Sequence, residues 1–519
     1  MQSFLARQGS EIKGVLSGFD RVRFRGTIRW LSSWQGMMSY LGTVRVPLKG
    51  FKEWAMGLTS QIKQATQDLA ERAARPLIHL PSSSESKEAR ALEVEASDRI
   101  TEGLICVLSC TEMCRTFEVG PNRALQKLEL RAKPGKCLHY YFYLRHREYG
   151  LMHLRLQTWL PLTIHVCLNG REWLAQRLLA RGIPFVQRDN CFVDVADVRR
   201  AQRLLNQQLR TDWEKQLNGL VRQVHPAHPR LFPQVLDYYW SAEETEWATD
   251  VMFRSPAALA QIYPHLVRHA MTTFGSGDVM RFLGRRTTAT VHGNFTGEVV
   301  TSLKTRPEGM RVKHALNHNS VKMYDKQGSV LRVETTINDP RDMKAYRTKE
   351  NEPQGPKHWR RLRKGVSDLH RRTEVSQKCN ARYLEALAAV DTPTSLQEVV
   401  GTVCEPVQWQ GRRVRALAPL GQADGALLAA VVRGEFAING FRNRDLRPLL
   451  CGDASNDPAV VKRQAARITR QLRLLRGHAL IQKVPKTHRY QLTTHGRTTI
   501  TALLIAKQTN VQQLAQLAA

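Results

Sequence analysis

The chain has 519 residues, of which 42% are hydrophobic, and its 78 Lys and Arg outnumber 46 Asp and Glu to give a net charge of +32 and a pI near 10.2. The apolar content is that of a globular protein, the length fits roughly three or four domains, and no run approaches the ~18 apolar residues of a membrane span. A charge of this size is best tolerated against a polyanion, so nucleic acid is the leading partner and an anionic membrane surface a distant second.

The N-terminus, Met1-Gln2-Ser3-Phe4-Leu5-Ala6-Arg7, has no apolar core followed by a cleavage site, and a cytoplasmic protein is expected. The nine cysteines are too scattered for a disulfide scaffold, which suits a reducing compartment. Cys106, Cys110 and Cys114 recur every four residues, and a metal site there would need further ligands such as Cys137 and His139. The spacing does not match the paired-cysteine zinc patterns, so these side chains are read as buried thiols.

In chain order, residues 1–80 read as a mostly helical region, with a helix over Phe51–Ala73. Inside it Arg21, Arg23 and Arg25 alternate with Val22 and Phe24, which is strand spacing with one apolar and one guanidinium face. This is an amphipathic edge strand or a phosphate-contacting one. Residues 81–213 read as an α+β domain with antiparallel strands at Leu104–Leu108, Arg115–Val119, Leu138–Leu144, Met152–Leu156, Thr163–Leu168 and Cys191–Val195. Asn169-Gly170 opens a helix over Arg171–Arg181, and another helix runs over Val198–Trp213.

Residues 214–350 read as a helical segment followed by a β-hairpin domain. On a helix Glu243, Glu246 and Asp250 share one face; they could hold Mg²⁺, with Glu334 completing the site, or pair with Arg from a neighbouring element. Asn317–Lys326 and Val330–Ile337 flank a Gln327-Gly328 turn. The register decides whether Tyr324 or Asp325 joins Arg332 and Glu334 on one face. Tyr324, Glu334 and Glu246 are the candidate catalytic residues. Residues 351–395 read as a basic helical linker carrying Arg360, Arg361, Arg363 and Lys364. No internal repeat is visible.

Residues 396–519 read as a terminal domain. From Pro458 to Ala519 there is no Asp or Glu, against 11 Lys or Arg. A first helix at Ala426–Val432 and a short one from Phe441 to Leu450 precede a long helix over Val460–Ile481. There Val461, Ala465, Ile468, Leu472 and Leu475 form one face, and Arg463, Arg467 and Arg470 the other. Two strands around a basic tip follow, then a helix over Thr494–Lys507.

This order of elements, with Leu472–Ile481 and Tyr490-Gln491-Leu492-Thr493 as its most specific stretches, resembles the winged helix-turn-helix domains of bacterial regulators of the MarR type. The resemblance implies that Arg463, Arg467, Arg470 and Arg473 enter a major groove. It also implies that Lys483, Lys486 and Arg489 touch phosphate or the minor groove, with Arg442 and Arg444 nearby. Phe19-Asp20-Arg21-Val22, Gly103–Leu108 and Asn169–Leu174 extend a resemblance to a large bacterial family often labelled MarR-like. The string Lys322-Met323-Tyr324-Asp325-Lys326, a turn, then Leu331-Arg332-Val333-Glu334 resembles a strand pair of rolling-circle replication initiators. Those also require a His-hydrophobic-His metal motif, and His153-Leu154-Arg155 and His165-Val166-Cys167 each offer one histidine.

The expected protein is therefore α+β and multidomain, with a C-terminal winged helix that binds DNA. It would be a regulator or a mobile-element protein that needs no cofactor for binding. A Mg²⁺-dependent nuclease, recombinase or replication initiator anchored by that domain, and an RNA-binding protein, stand as alternatives.

Overall fold

Ile12–Ile28 forms one long strand, β1, in which Val22, Phe24 and Ile28 are buried on one face while Arg21, Arg23 and Arg25 lie on the other. The alternation read from the sequence is present, but β1 is no edge: it pairs antiparallel with β6 (Ile164–Asn169) on one side and β9 (Tyr238–Phe253) on the other. The computed structural model describes the chain apart from residues 235, 286–298, 307–308, 350–351, 353, 389–395, 437–439, 453–456, 486 and 509–519. Among the described residues it is α+β, with 15 α-helices and a large mixed sheet.

That sheet has 11 strands in the order β10-β11-β12-β13-β9-β1-β6-β5-β4-β3-β2. The remaining members are β2 (Leu77–Leu80), β3 (Gly103–Asn122), β4 (Lys127–His146), β5 (Gly150–Gln157), β10 (Val299–Arg306), β11 (Gly309–Leu316), β12 (Asn319–Lys326) and β13 (Val330–Ile337). Only β2 pairs in parallel, on β3. A separate hairpin joins β7 (Phe185–Arg188) to β8 (Cys191–Val195).

The same topology occurs twice. β1 is followed by helices and then by the antiparallel meander β3-β4-β5-β6, whose last strand returns to pair with β1. β9 is followed by helices and then by β10-β11-β12-β13, whose last strand returns to pair with β9. The antiparallel β1–β9 pair joins the halves, although the sequence shows no repeat.

One sheet face is apolar and covered. Phe24, Val166, Leu154 and Phe142 belong to a core shared with the helices Phe51–Arg72 and Trp213–Val224. Phe24 meets Trp213 at a ring-centroid distance of 5.0 Å, and burial of each such side chain contributes roughly 1.5–3 kcal/mol. In the second half Val312, Met323, Leu331 and Val333 lie under the helices Pro256–Thr272 and Leu369–Leu387. The two-residue period of each strand sends the intervening residues to the opposite face, and these are mostly polar.

Three expectations are corrected. After a short helix at Gln2–Arg7, the 1–80 region enters the central strand of the sheet, and its longer helices, Trp34–Thr43 and Phe51–Arg72, come only after that strand. The acidic segment 238–250 is β9, a strand hydrogen-bonded on both sides, so Glu243, Glu246 and Asp250 do not form a helix face. The basic segment 357–364 contains strand β15 (His358–Arg361) paired with β14 (Lys344–Arg347), and the Leu369–Leu387 helix behind it is buried against β9 and β13 rather than spanning solvent.

Residues past 395 carry their own core. The helices Gln422–Val431, Asn443–Cys451 and Pro458–Gly477, the strands β18 (Ile481–Lys483) and β19 (Tyr490–Leu492) and the helix Thr494–Gln508 follow in order, after a small hairpin of β16 (Val407–Trp409) and β17 (Arg412–Val414). Leu427, Leu446, Ile468, Leu472, Leu475, Ile481 and Ile500 meet inside. Asp457 caps the long helix by accepting from the Ala459 amide at 2.8 Å, with Pro458 at its first position. Among the described residues no helix is long and apolar enough to cross a membrane.

Candidate polar site and basic groove on the open sheet face

Where β1, β9, β12 and β13 lie side by side, the open face carries a buried polar cluster. The β12–β13 register sets Lys322 opposite Glu334 and Tyr324 opposite Arg332, so Tyr324, not Asp325, shares their face. The Tyr324 hydroxyl donates to Glu334 at 2.6 Å, and the Lys322 ammonium donates to Glu334 at 2.7 Å and to Glu246 at 3.0 Å. Arg332, 1% exposed, donates to Asp250 at 2.6 and 2.9 Å, to Asp20 at 2.8 Å and to the Asn190 carbonyl at 2.8 Å.

Two local features deliver the remaining members. A break in the β1–β9 register between Phe19 and Val22 holds Asp20 in the cluster. Asn169 caps the Gly170–Leu179 helix by accepting from the Arg171 and Glu172 amides at 2.9 and 3.3 Å. Gly170 packs so closely on β1 that a Cβ there would stand 2.2 Å from the Phe19 carbonyl oxygen. The helix start thereby brings the fully buried Arg171 to Asp250 at 2.9 Å. The β7–β8 turn closes over the top: Asn190 donates to Asp20 at 2.7 Å and Lys326 to Asp189 at 2.8 Å.

Four carboxylates (Asp20, Glu246, Asp250, Glu334) thus face three permanent cations (Arg171, Lys322, Arg332). Proton affinity is divided accordingly. Burial opposes the Glu334 charge, but Lys322 and then the Tyr324 hydroxyl outweigh it and lower its pKa to about 2. Burial, and next the Glu334 charge, raise Glu246 to about 7 against the pull of Lys322. Burial, then Glu334, hold the Tyr324 phenol well above its ordinary range, so it stays protonated. Oxygens of Asp20, Glu246 and Glu334 lie within 4.8 Å of one another, a hard-oxygen set of the kind that takes Mg²⁺.

Beside this cluster, starting from Asp189 and Asn190 of the β7–β8 turn, a groove of about 940 Å³ runs across β1, β6, β5, β4 and β3. Arg21, Arg23 and Arg25 line one side, with His165 on β6 and His153 and Arg155 on β5 along the floor. The register places Cys167 opposite His153 and His165 opposite Arg155, so the two single histidines of the sequence become diagonal neighbours. Burial, then Arg21, push His153 down to about 4. Glu243 sits at a register break, 3.1 Å from Arg23, 3.9 Å from Arg25 and 3.3 Å from His165. The hydrogen bond from His165 is the main cause of its pKa of about 2, followed by the two arginines against the cost of burial.

The proposed catalytic trio Glu246, Tyr324 and Glu334 therefore stands together. Of the proposed metal set, only Glu246 joins Glu334; Glu243 belongs to the groove arginines, and Asp250 is taken up by Arg332 and Arg171. Asp20, Arg171 and Lys322 complete the cluster, and the sequence alone does not single them out as site residues. Asp20 lies more than 200 residues from its partners on β9 and β13, and a pairing of that range leaves no periodic signal.

Arg463, Arg467, Arg470 and Arg473 are exposed along the Pro458–Gly477 helix, and Lys483 is exposed on β18. Arg444 is exposed 3.7 Å from Asp445, while Arg442 and Arg489 are half-buried. Lys486 lies outside the described residues. Arg360 and Arg361 are on β15, Lys364 is exposed after it, and Arg363 is bound to the buried Asp368 at 3.1 Å. No family model matches this chain, and no curated protein and no solved structure was found to be similar to it.

Proposed function

We propose that this protein binds nucleic acid, with DNA as the first choice, through a winged-helix-like terminal region and the open face of its sheet. The observation that carries this reading is the Pro458–Gly477 helix. It commits Ile468, Leu472 and Leu475 to its own core and leaves four arginines exposed on the other side, with no acidic residue from Pro458 onward to neutralise them. Three helices, a two-stranded hairpin and a closing helix are the element order of a winged helix, whose third helix is a groove reader. The hairpin beside it supports the same surface: Phe441 and Tyr490 exchange backbone hydrogen bonds at 2.9 and 2.8 Å, an isolated bridge that ties the residue just before the Asn443–Cys451 helix cap to the wing. The arginine rows of β1 extend the polyanion-facing surface.

The test is fluorescence anisotropy with labelled duplex DNA, single-stranded DNA and RNA of equal length over a salt series. Duplex DNA should bind tightest, with log Kd changing steeply with log salt. A flat salt response overturns the reading, and a preference for RNA moves the surface to that class.

One observation favours a second reading, metal-dependent cleavage of the bound strand: the Asp20, Glu246 and Glu334 oxygens converge behind Asn190, which lines the arginine-bearing groove and donates to Asp20. In that reading the carboxylates hold a divalent cation against a phosphodiester, and Lys322 orients Glu334.

A further inference from the structure

At the far end of the groove, three soft donors meet. Cys114 is on β3, and Cys137 and His139 are on β4. The register sets Cys114 opposite Gly135 and Cys137 opposite Glu112, so Cys114 and Cys137 are diagonal neighbours, while Cys137 and His139 are two apart and share a face. The two sulfurs stand 3.0 Å apart, and the Cys137 sulfur is 3.9 Å from His139 Nδ1. All three donor atoms lie within 4.8 Å of one another. Cys106 and Cys110 lie along the same strand, and Cys110 is the register partner of His139, but neither sulfur joins the group of donors within 4.8 Å of one another. They pack instead with Ala91, Tyr141 and Tyr143.

We infer that Cys114, Cys137 and His139 form a binding site for one thiophilic divalent cation of the Zn²⁺ class, with its fourth coordination position open to the groove. Two sulfurs and an imidazole nitrogen are the donor set that tetrahedral zinc takes, and ligands about 2.0–2.3 Å from a central ion stand some 3.3–3.8 Å apart. The 3.9 Å between sulfur and imidazole nitrogen matches the upper end of that range, and the two sulfurs, 3.0 Å apart, would part by about 0.8 Å to admit the ion. A disulfide would draw the sulfurs to about 2.05 Å and leave the imidazole without a role.

The nearest acid does not compete for the ion. Glu112 accepts from Tyr141 and Arg155, each at 2.7 Å, and lies 3.3 Å from Lys87. Cys114 and His139 line the groove together with Arg115 and Arg155. Three protein donors with one position facing a cavity is the arrangement of an ion that also receives water or an anionic group from a ligand. The site sits on the open sheet face, so an ion there adds positive charge where a phosphate would lie. This siting does not depend on the terminal helix, and the site stands or falls separately from the nucleic-acid reading.

The test uses the full chain, reduced and stripped with a chelator, and titrated with Co²⁺. The expected result is one equivalent bound, with thiolate-to-cobalt charge-transfer absorption and the visible bands of a tetrahedral ion, both erased by added Zn²⁺. Cys114→Ser, Cys137→Ser and His139→Gln should each abolish the charge-transfer band or shift it, while Cys404→Ser leaves it unchanged. Circular dichroism of each variant separates ligand loss from unfolding. Thiols are counted in parallel in denatured protein that has seen no reductant, and nine free thiols are expected. A folded protein without the cobalt bands, bands that survive all three substitutions, or seven free thiols with Cys114 and Cys137 joined would each overturn the site.

Discussion

Lys322 bridges two carboxylates that differ in their hold on a proton: it lies 2.7 Å from Glu334, which stays charged, and 3.0 Å from Glu246, whose pKa is raised to about 7. A carboxyl whose folded-state pKa exceeds its ordinary value favours the fold when protonated. Its contribution falls as pH rises from about 4.5 to about 7 and stays at the lower level above that. Glu246→Gln removes the titration and keeps the shape. The variant should match the wild type near pH 4.5 and be more stable by about 1–3 kcal/mol at pH 8, read from urea midpoints at both pH values. Equal stability of the two proteins at pH 8 would mean that the fold does not raise the Glu246 pKa.

Arg332 is the counter-ion of the opposite half of the cluster, with Asp20, Asp250 and the Asn190 carbonyl all accepting from it. Arg332→Met leaves two buried carboxylates facing only Arg171. It should cost about 3–5 kcal/mol of unfolding free energy, because the penalty is an uncompensated buried charge and not the worth of one bond. A loss below about 1 kcal/mol would show that Arg171 alone balances Asp20 and Asp250.

The cluster was half legible in the sequence, and the reason lies in range. The β12–β13 hairpin was visible because Lys322, Tyr324, Arg332 and Glu334 sit on alternating positions around a Gln327-Gly328 turn, and register alone decided between Tyr324 and Asp325. The β1 arginine row was visible from the same alternation. In the terminal region the long helix, read as Val460–Ile481, runs Pro458–Gly477, because a cap and an apolar stripe are local signals. β9 was misread because its acids fall at helix-like intervals, while register breaks at Phe19/Val22 and Arg23/Phe24 disturb the pairing that would mark a strand. Asp20, the doubled topology and the meeting of Cys114 with His139 depend on pairings across strands, and no spacing along the chain encodes them.

Divalent-metal chemistry at the carboxylates predicts nicking of supercoiled plasmid that requires Mg²⁺ or Mn²⁺. The activity should disappear in Glu334→Gln and in Asp20→Asn, because each replaces one of the three converging anionic carboxylates with a neutral amide. Melting curves of both variants guard against simple unfolding. Nicking that persists in folded forms of both would place any cleavage outside this cluster.

The two basic surfaces should separate in binding. Arg467 and Arg470 are exposed on the helix read as the groove reader, and replacing either with Ala should weaken duplex binding by roughly 1–3 kcal/mol if it reaches a base edge. The loss should then depend on sequence. Arg23 and Arg25 on β1 are half-buried and partly matched by Glu243 and Glu244, so they meet phosphate, if anything, rather than bases. Arg23→Gln with Arg25→Gln should weaken all sequences alike and flatten the salt slope by about one for each phosphate no longer neutralised. A combined variant should show additive losses, since the surfaces lie on separate cores and share no side chain. Anisotropy on a matched pair of duplexes over a salt series reads all three. Sequence-dependent loss from the β1 pair, with none from Arg467 or Arg470, would exchange the roles assigned to the two surfaces.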